Sequence, residues 1–524
     1  MEPLFLTMDF GTQSVRVGLF NKKGEEVAME KEKYNPPYFS TLPNYAEQNP
    51  DVYFESFAKA AKRLKEKHGE DFSRVVGAGL SCFRDSSVLL DKDRKVVRPI
   101  ILWLDQRMAD CRKPLPLLSR IAFKIVGMKN TVIFNRKRSM ANWIKENEPE
   151  NWAKVDKFIA ISTYITYLLT GNLVDCASNY GGHYPINFKK RQWYKNPMKH
   201  LKGQIFGIEK RMLCDLVKEG SVLGTISKEA SEKTGLPEGL KLYACGSDKS
   251  CETLGLGVLN DRVAAISYGT ASTVETTRKR YTESEPFLPG YASCLPEYYN
   301  MDIQVYRGYW MINWFINEFG GKANGVGVTD VSADIFDKKL SQVPPGCDGL
   351  VLQPYWGPSL SRPLAKGAII GFSDSITQEH FYRAIIEGIA YALREGLEHF
   401  EKKIKHGIYN LRISGGGSSS EEICQITADI FDRPVQKVQT SETSSLGAAI
   451  AGFLACGEFK TPEEAVEAMV HPGKVFTPNK EVSEKYHYLY KHAYLELYPR
   501  LKGIYSNIKR FNVNEEKERW KKQK

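Results

Sequence analysis

The stretch that most constrains this chain is Leu4 to Phe20, LFLTMDFGTQSVRVGLF. A short apolar run, Leu4 to Met8, is interrupted by Asp9-Phe10-Gly11-Thr12-Gln13-Ser14 before an apolar-rich run resumes at Val15. Two such runs around a glycine-and-hydroxyl turn predict a β-hairpin with a polar tip. Gly11 lets the backbone come close to a ligand, Thr12, Gln13 and Ser14 carry donors, and Asp9 at the strand end offers a carboxylate to a hydrated metal ion. A phosphate with Mg2+ fits such a tip, and an ordinary hairpin with a hydroxyl-bearing turn explains it equally well. The pattern returns at Ile266 to Val274, ISYGTASTV, again with G-T-x-S between apolar strands. Two phosphate-gripping hairpins far apart in one sequence predict two domains with a nucleotide in the cleft between them.

Bulk properties narrow the class. At 524 residues the chain is too long for one compact core. Its 42% hydrophobic and 26% charged residues are those of a soluble globular protein, and no apolar run is long enough to cross a bilayer. No basic region followed by an apolar segment and cleavage site opens the sequence, so a cytoplasmic protein without a membrane partner is expected. The ten cysteines form no C-x-x-C pair, which speaks against a zinc site and a disulfide framework and predicts reduced, buried thiols. The net charge of +11 is spread along the chain rather than gathered with aromatics, so a solvated surface is expected and no nucleic acid partner. The final EEKERWKKQK, Glu515 to Lys524, mixes both signs and reads as a frayed helical end.

With its two hairpins the sequence resembles the FGGY family of carbohydrate kinases, whose members have an actin-like ATPase fold, and further motifs follow in the family's order. Tyr45-Ala46-Glu47-Gln48-Asn49-Pro50 is similar to W-A-E-Q-D-P, which implies that Gln48 lies near the sugar. Asn49 as a cap and Pro50 in the first turn of a helix reaching Lys67 explain the same stretch without any ligand. Val75 to Ser81 reads as a buried strand, with Arg84-Asp85 just past its end. An adjacent cation and carboxylate at a strand end suit neighbouring hydroxyl groups, while a surface ion pair is the plainer alternative. This register aligns with the glycerol-kinase branch, where arginine precedes glutamate; xylulokinases usually carry methionine and histidine there. Trp103-Leu104-Asp105-Gln106-Arg107 resembles W-x-D-x-R and is expected to be structural support. Ile159 to Thr170 predicts a helix ended by Gly171, Trp193 to Leu216 a mostly helical region, and Gly220 to Gly239 a turn-rich return to the first sheet.

A strand then ends at Gly246-Ser247-Asp248-Lys249. Phosphoryl transfer to an alcohol needs a base beside the attacking oxygen, the rest being positioning and charge neutralisation. Asp248 is the candidate; a helix N-cap is its structural alternative. The resemblance implies the catalytic role, since the family has an aspartate here, although relatives carry glutamine or asparagine where Lys249 stands. Further on, Gly346 to Tyr355 and Gly367 to Glu387 are similar to family segments and read as scaffold. Ile413-Ser414-Gly415-Gly416-Gly417 runs from a strand towards a helix from Glu421 to Phe431, and its glycines permit the close backbone approach of the family's adenosine site. Ser444 to Ala449 opens a helix of small residues suited to tight packing. There is neither a Walker A loop nor a Rossmann G-x-G-x-x-G.

The expectation is an α/β protein of two actin-like, ribonuclease H-like domains with an interdomain cleft. Residues 1–260 would bind sugar or polyol and carry the base, 261–480 would bind nucleotide, and 481–524 would form a charged helical extension. Asp9 would act on Mg2+ through water. Thr12, Gln13, Ser14, Gly269, Thr270, Ser272 and Gly415 to Gly417 would hold ATP. Arg84, Asp85, Gln48 and Asp248 would hold the acceptor, and Asp248 would take its proton. The acceptor is expected to be a ketose such as xylulose or ribulose, with glycerol or a short polyol as the alternative; the resemblance also implies a homodimer. A reading of another class is an ATP-binding actin-like regulator, which would have no need of Asp248 or Arg84.

Overall fold

A computed structural model describes residues 2–319, 336–357 and 362–522. Trp356 to Lys366, between the two family-like segments Gly346 to Tyr355 and Gly367 to Glu387, reads in the sequence as a loop, and it lies partly outside these residues. The chain forms two compact units built from interleaved segments: 1–260, 277–301 and 442–471 make the first, and 261–276, 302–441 and 472–524 the second. The small-residue helix after Glu442, expected in the nucleotide domain, thus packs with the first unit.

Leu4–Phe10 is buried at every position, as a continuous apolar run in the middle of a sheet should be. The first unit's sheet is ordered Val222–Thr225, Lys241–Ser247, Val75–Cys82, Leu4–Phe10, Ser14–Asn21, Glu26–Lys33. The last of these, EVAMEKEK, mixes partly exposed charges into its pattern, which suits an edge strand. Leu4–Phe10 pairs antiparallel with Ser14–Asn21 and parallel with Val75–Cys82, which is in turn parallel to Lys241–Ser247. Three parallel strands therefore end at one edge of the sheet, with Phe10 beside Cys82 and Cys82 beside Ser247.

The second unit repeats this plan. Val263–Tyr268 pairs antiparallel with Ser272–Arg278 and parallel with Asn410–Ser414, and Asn410–Ser414 lies parallel to Val435–Val438. Ser267 stands beside Ser414, so the turn after Tyr268 and the glycines after Ser414 leave the same edge. The segment expected as an extension begins as core: Tyr486, on the helix Lys480–Leu489, donates to Glu387 at 2.7 Å and accepts from Arg383 at 2.8 Å, all three being buried.

Glycines set the first unit's tightest contact. A Cβ on Gly447 would lie 1.8 Å from the Cys251 carbonyl oxygen, and one on Gly255 would lie 1.9 Å from that of Thr443. The helix Asp248–Gly255 is thereby held backbone to backbone against Thr443–Ala455. Several local expectations are corrected. The helix Asp51–His68 has Pro50 at its N-cap with no side-chain cap, so Asn49 does not serve there. Ile159 belongs to the strand Lys157–Ala160, and the helix is Ile161–Thr170, ended by Gly171 in a left-handed conformation. The region from Trp193 to Leu216, expected to be mostly helical, holds short strands and two 3-10 turns, with Gly207 at φ 72° between the turns. Between Gly220 and Gly239 a helix, Lys228–Thr234, is capped by Ser227. All ten cysteines are free and eight are buried; Cys111 and Cys456 are partly exposed.

Candidate active site

The shared edge of the first sheet gathers the charged residues. Asp9 is the penultimate residue of its strand, Arg84 and Asp85 follow Val75–Cys82, and Asp248 follows Lys241–Ser247 directly. Asp9 is buried; its Oδ2 lies 3.5 Å from Arg16 Nη1 on the paired strand, while Oδ1 is buried without a hydrogen-bond partner. Arg16 in turn pairs with Glu442, Nε to Oε2 at 2.7 Å. Burial pushes the Asp9 carboxyl up to about 6; Arg16 opposes this, and the carboxylates of Asp248 and Glu442 add to it. Among the described residues no group of three or more His, Cys, Asp or Glu side chains could hold a metal ion directly. An unpartnered buried carboxylate oxygen among other acids does suit a hydrated cation.

Asp248 is not the cap of its helix. Ser247 is, its hydroxyl accepting from the Ser250 N–H at 3.4 Å, and Asp248 is the first helical residue. Its Oδ1 accepts from the Lys249 N–H at 2.8 Å. Burial raises its pKa, while the cations of Lys249 and Arg84 lower it. Lys249 itself pairs with Glu252 at 2.7 Å.

Asp85 sits at φ 58° and meets His183, Oδ1 to Nδ1 at 3.3 Å. Burial pushes its carboxyl up, but His183 and then Arg84 outweigh this, so the net shift is downward. The Arg84 guanidinium lies over the Tyr291 ring, 4.4 Å from its centroid. Arg84 thus acts electrostatically on both Asp85 and Asp248. Gln48 is buried differently: its Nε2 donates to the Pro36 carbonyl at 2.7 Å, and its Oε1 accepts from the Asn49 N–H at 2.9 Å. Both ends of its amide are committed to the backbone, so it shapes the loop instead of facing a ligand.

In the first turn Gln13 is exposed, Thr12 partly exposed and Ser14 buried. Thr12 Oγ1 accepts from the Trp103 indole at 3.0 Å. The rest of W-x-D-x-R is support, as expected: Asp105 accepts from the Ala46 N–H at 2.7 Å and binds Arg107, whose guanidinium lies over Tyr45 and Trp143.

In the second unit Gly269 and Thr270 occupy a partly exposed turn, whereas Ser272 is fully buried and accepts from the Tyr309 N–H at 3.1 Å. Ser272 therefore braces the turn from beneath. The three glycines differ. Gly415, at φ 82°, would put a Cβ 2.6 Å from the Tyr268 carbonyl carbon, and Gly417 would put one 2.7 Å from the Tyr268 Cβ. Gly416 faces open space and is exposed. Ser420 caps the helix Glu421–Phe431, whose first turn carries Glu421 and Glu422 and so does not invite an anion.

The structure thus brings Asp9, Arg84, Asp85 and Asp248 to one sheet edge in the first unit, and Gly269, Thr270 and Gly415 to Gly417 to one sheet edge in the second. It withdraws Gln48 and Ser272 into structural roles. The sequence reading missed Arg16, His183, Tyr291 and Glu442. Of these only Arg16 carried a signal, standing opposite Asp9 in any hairpin with this turn; the other three are brought in by distant segments.

The model of the FGGY carbohydrate kinase N-terminal domain matches residues 4–255, and that of the C-terminal domain matches 264–456. A xylulose kinase of Lactococcus lactis is 27% identical over 514 residues, covering 97% of this chain and 99% of the relative. A glycerol kinase of Thermococcus gammatolerans is 25% identical over 509 residues, covering 94% and 97%. The structure of a ligand-bound xylulose kinase from Lactobacillus acidophilus superposes with a TM-score of 0.78 at 21% identity, covering 97% of this chain and 100% of that one, a likeness of fold. The chain therefore belongs to the FGGY family of carbohydrate kinases, with their two-domain actin-like fold, and is an ATP-dependent phosphotransferase acting on a hydroxyl of a small sugar or polyol.

Proposed function

We propose that the acceptor is a ketose such as xylulose or ribulose, held by Arg84 and Asp85, and that Asp248 takes the proton of its attacking hydroxyl. The observation that carries this reading is Asp248 itself: a partly buried carboxylate, relieved of capping by Ser247, at the strand edge it shares with Arg84 and Asp85. Burial raises its pKa, which makes it a stronger base than a solvated aspartate. Arg84 donates to one acceptor hydroxyl and Asp85 accepts from its neighbour. The name of the Lactococcus lactis relative, a xylulose kinase, supports a ketose.

The nucleotide contacts we assign are Thr12, Gln13 and Ser14 on the first turn, Gly269 and Thr270 on the second, and Gly415 to Gly417 for adenosine. Asp9 would hold Mg2+ through water, its buried Oδ1 having no partner within the protein. When bound, Mg2+ supplies neutralisation of the phosphate charge. We infer a cytoplasmic enzyme working on a free small molecule, which accords with ten free thiols and with the described residues, among which no helix is long and apolar enough to cross a membrane.

A short polyol is the second reading, favoured by the arginine-acid order at Arg84-Asp85. ATP consumption measured across ketopentoses, glycerol, longer polyols and aldonates decides between them. Preference for a ketopentose is expected, glycerol as the best acceptor would replace it with the second reading, and consumption that stays flat across the panel would revive a regulator without sugar chemistry.

A further inference from the structure

Asp85 is gripped by a segment that neither the hairpins nor the catalytic aspartate require. The imidazole of His183 reaches its Oδ1 at 3.3 Å, and the backbone N–H of His183 also hydrogen-bonds the carboxylate. Gly181 lies so close that a Cβ there would stand 2.1 Å from Asp85 Oδ2 and 2.3 Å from Oδ1. A Cβ on Gly182 would stand 3.3 Å from the hydroxyl of Tyr291, the ring that carries Arg84. The segment is anchored from below: Asp175 accepts from Ser162, Thr163, Asn179 and the Cys176 N–H at 2.6 to 2.8 Å, and Tyr180 bonds Thr163 at 2.8 Å. A buried, fully bonded carboxylate of this kind fixes a loop firmly.

We propose that Gly181-Gly182-His183, with Tyr291, is the specificity element for the acceptor: it locks the orientation of the Arg84–Asp85 pair and selects a neutral polyhydroxylated acceptor over one bearing a carboxylate. This rests on the reading of Arg84 and Asp85 as acceptor-binding. His183 stands against Oδ1 and Gly181 closes on both oxygens, so the Asp85 carboxylate is held in one orientation, while the Tyr291 ring fixes the plane in which Arg84 donates. The carboxylates of Asp9, Asp85, Asp248 and Glu252 face the cations of Arg16, Arg84 and Lys249, and an acceptor carboxylate would add a further negative charge among these acids. His183 and Gly181 are positioning residues, acting through Asp85.

The test is steady-state kinetics on the full-length enzyme with the best acceptor of the panel and with gluconate. His183→Ala should raise the acceptor KM about 10- to 100-fold, the cost of a hydrogen bond to a charged group, and leave the KM for ATP unchanged. His183→Gln, which can donate to Asp85 again, should recover most of the loss. The nearest atoms a Gly181→Ala methyl meets are those of the Asp85 side chain and not backbone, so the variant should fold, and it should likewise raise the acceptor KM and narrow the preference over gluconate. Unchanged acceptor KM in both His183→Ala and Gly181→Ala, with a large rise in Asp85→Asn, would overturn the specificity element alone. Unchanged acceptor KM in Asp85→Asn as well would overturn the acceptor-binding reading beneath it. Equal losses for ATP and acceptor in every variant would reduce the segment to scaffold.

Discussion

The two G-T-x-S hairpins share their letters and their strand pairing, yet the structure wires them differently. The first turn is flanked by charge: Asp9 stands opposite Arg16, which continues to Glu442. In the second, the positions matching Asp9 and Arg16 are Ser267 and Val274, and the turn is braced by Ser272 from below and lies beside Gly415 and Gly417, which pack on Tyr268. One turn is organised by electrostatics and the other by shape. That Ser272 braces its turn is therefore not something the shared letters of the two motifs reveal.

If that contrast is functional, substitutions in the two units should fail in different ways. The largest effect belongs to the acid edge of the first unit: Asp248→Ala should lose about 10²- to 10⁴-fold in kcat, the usual contribution of a general base, in a coupled assay of ADP release. Near-normal turnover would remove Asp248 from the mechanism. Next comes the shape of the second unit. Gly415→Ala forces a left-handed backbone and a clash with Tyr268, so the KM for ATP should rise about tenfold with the acceptor KM unchanged. Gly416→Ala, facing open space, should be close to silent in the same assay; equal effects at both positions would break the argument from shape.

A smaller, signed effect probes the charges around Asp9. Its folded pKa is raised to about 6, so the carboxylate is lost as pH falls through that value, and activity should decline on the acid side there. Arg16→Gln removes the cation that opposes the rise, so the acid limb of the pH-rate profile should move to higher pH. A shift to lower pH would contradict the assigned network. A modest effect is expected for Trp103→Phe, which removes the indole hydrogen bond to Thr12 and should change the KM for ATP by roughly two- to fivefold.

The fold was legible because its signals are local. Apolar runs around polar turns marked both hairpins, and the strand-to-glycine passage at Gly415 to Gly417 marked the second unit's edge. Where a mostly helical region was expected from Trp193 to Leu216, Gly207 in a left-handed conformation separates two short 3-10 turns. Asp248 was legible as an acid after a strand, but its freedom from capping depended on which of two adjacent residues, Ser247 or Asp248, took the cap. Gln48 and Ser272 read as ligand contacts because sequence cannot tell which partner satisfies a polar group; the Pro36 carbonyl and the Tyr309 N–H do so here. Glu442, His183 and Tyr291 were invisible for a related reason. Each reaches the edge from a segment far along the chain, and neither spacing nor periodicity encodes such a contact. The interleaving of the units, which returns residues 442–471 to the first, has the same origin.

The most direct test of the central claim, that Asp248 serves the transfer and not the nucleotide, is ATP binding to Asp248→Ala measured by titration calorimetry. The account predicts an affinity within about twofold of the unaltered enzyme, less than 0.5 kcal/mol, beside the collapse in turnover. An ATP affinity that falls in proportion to turnover would contradict it.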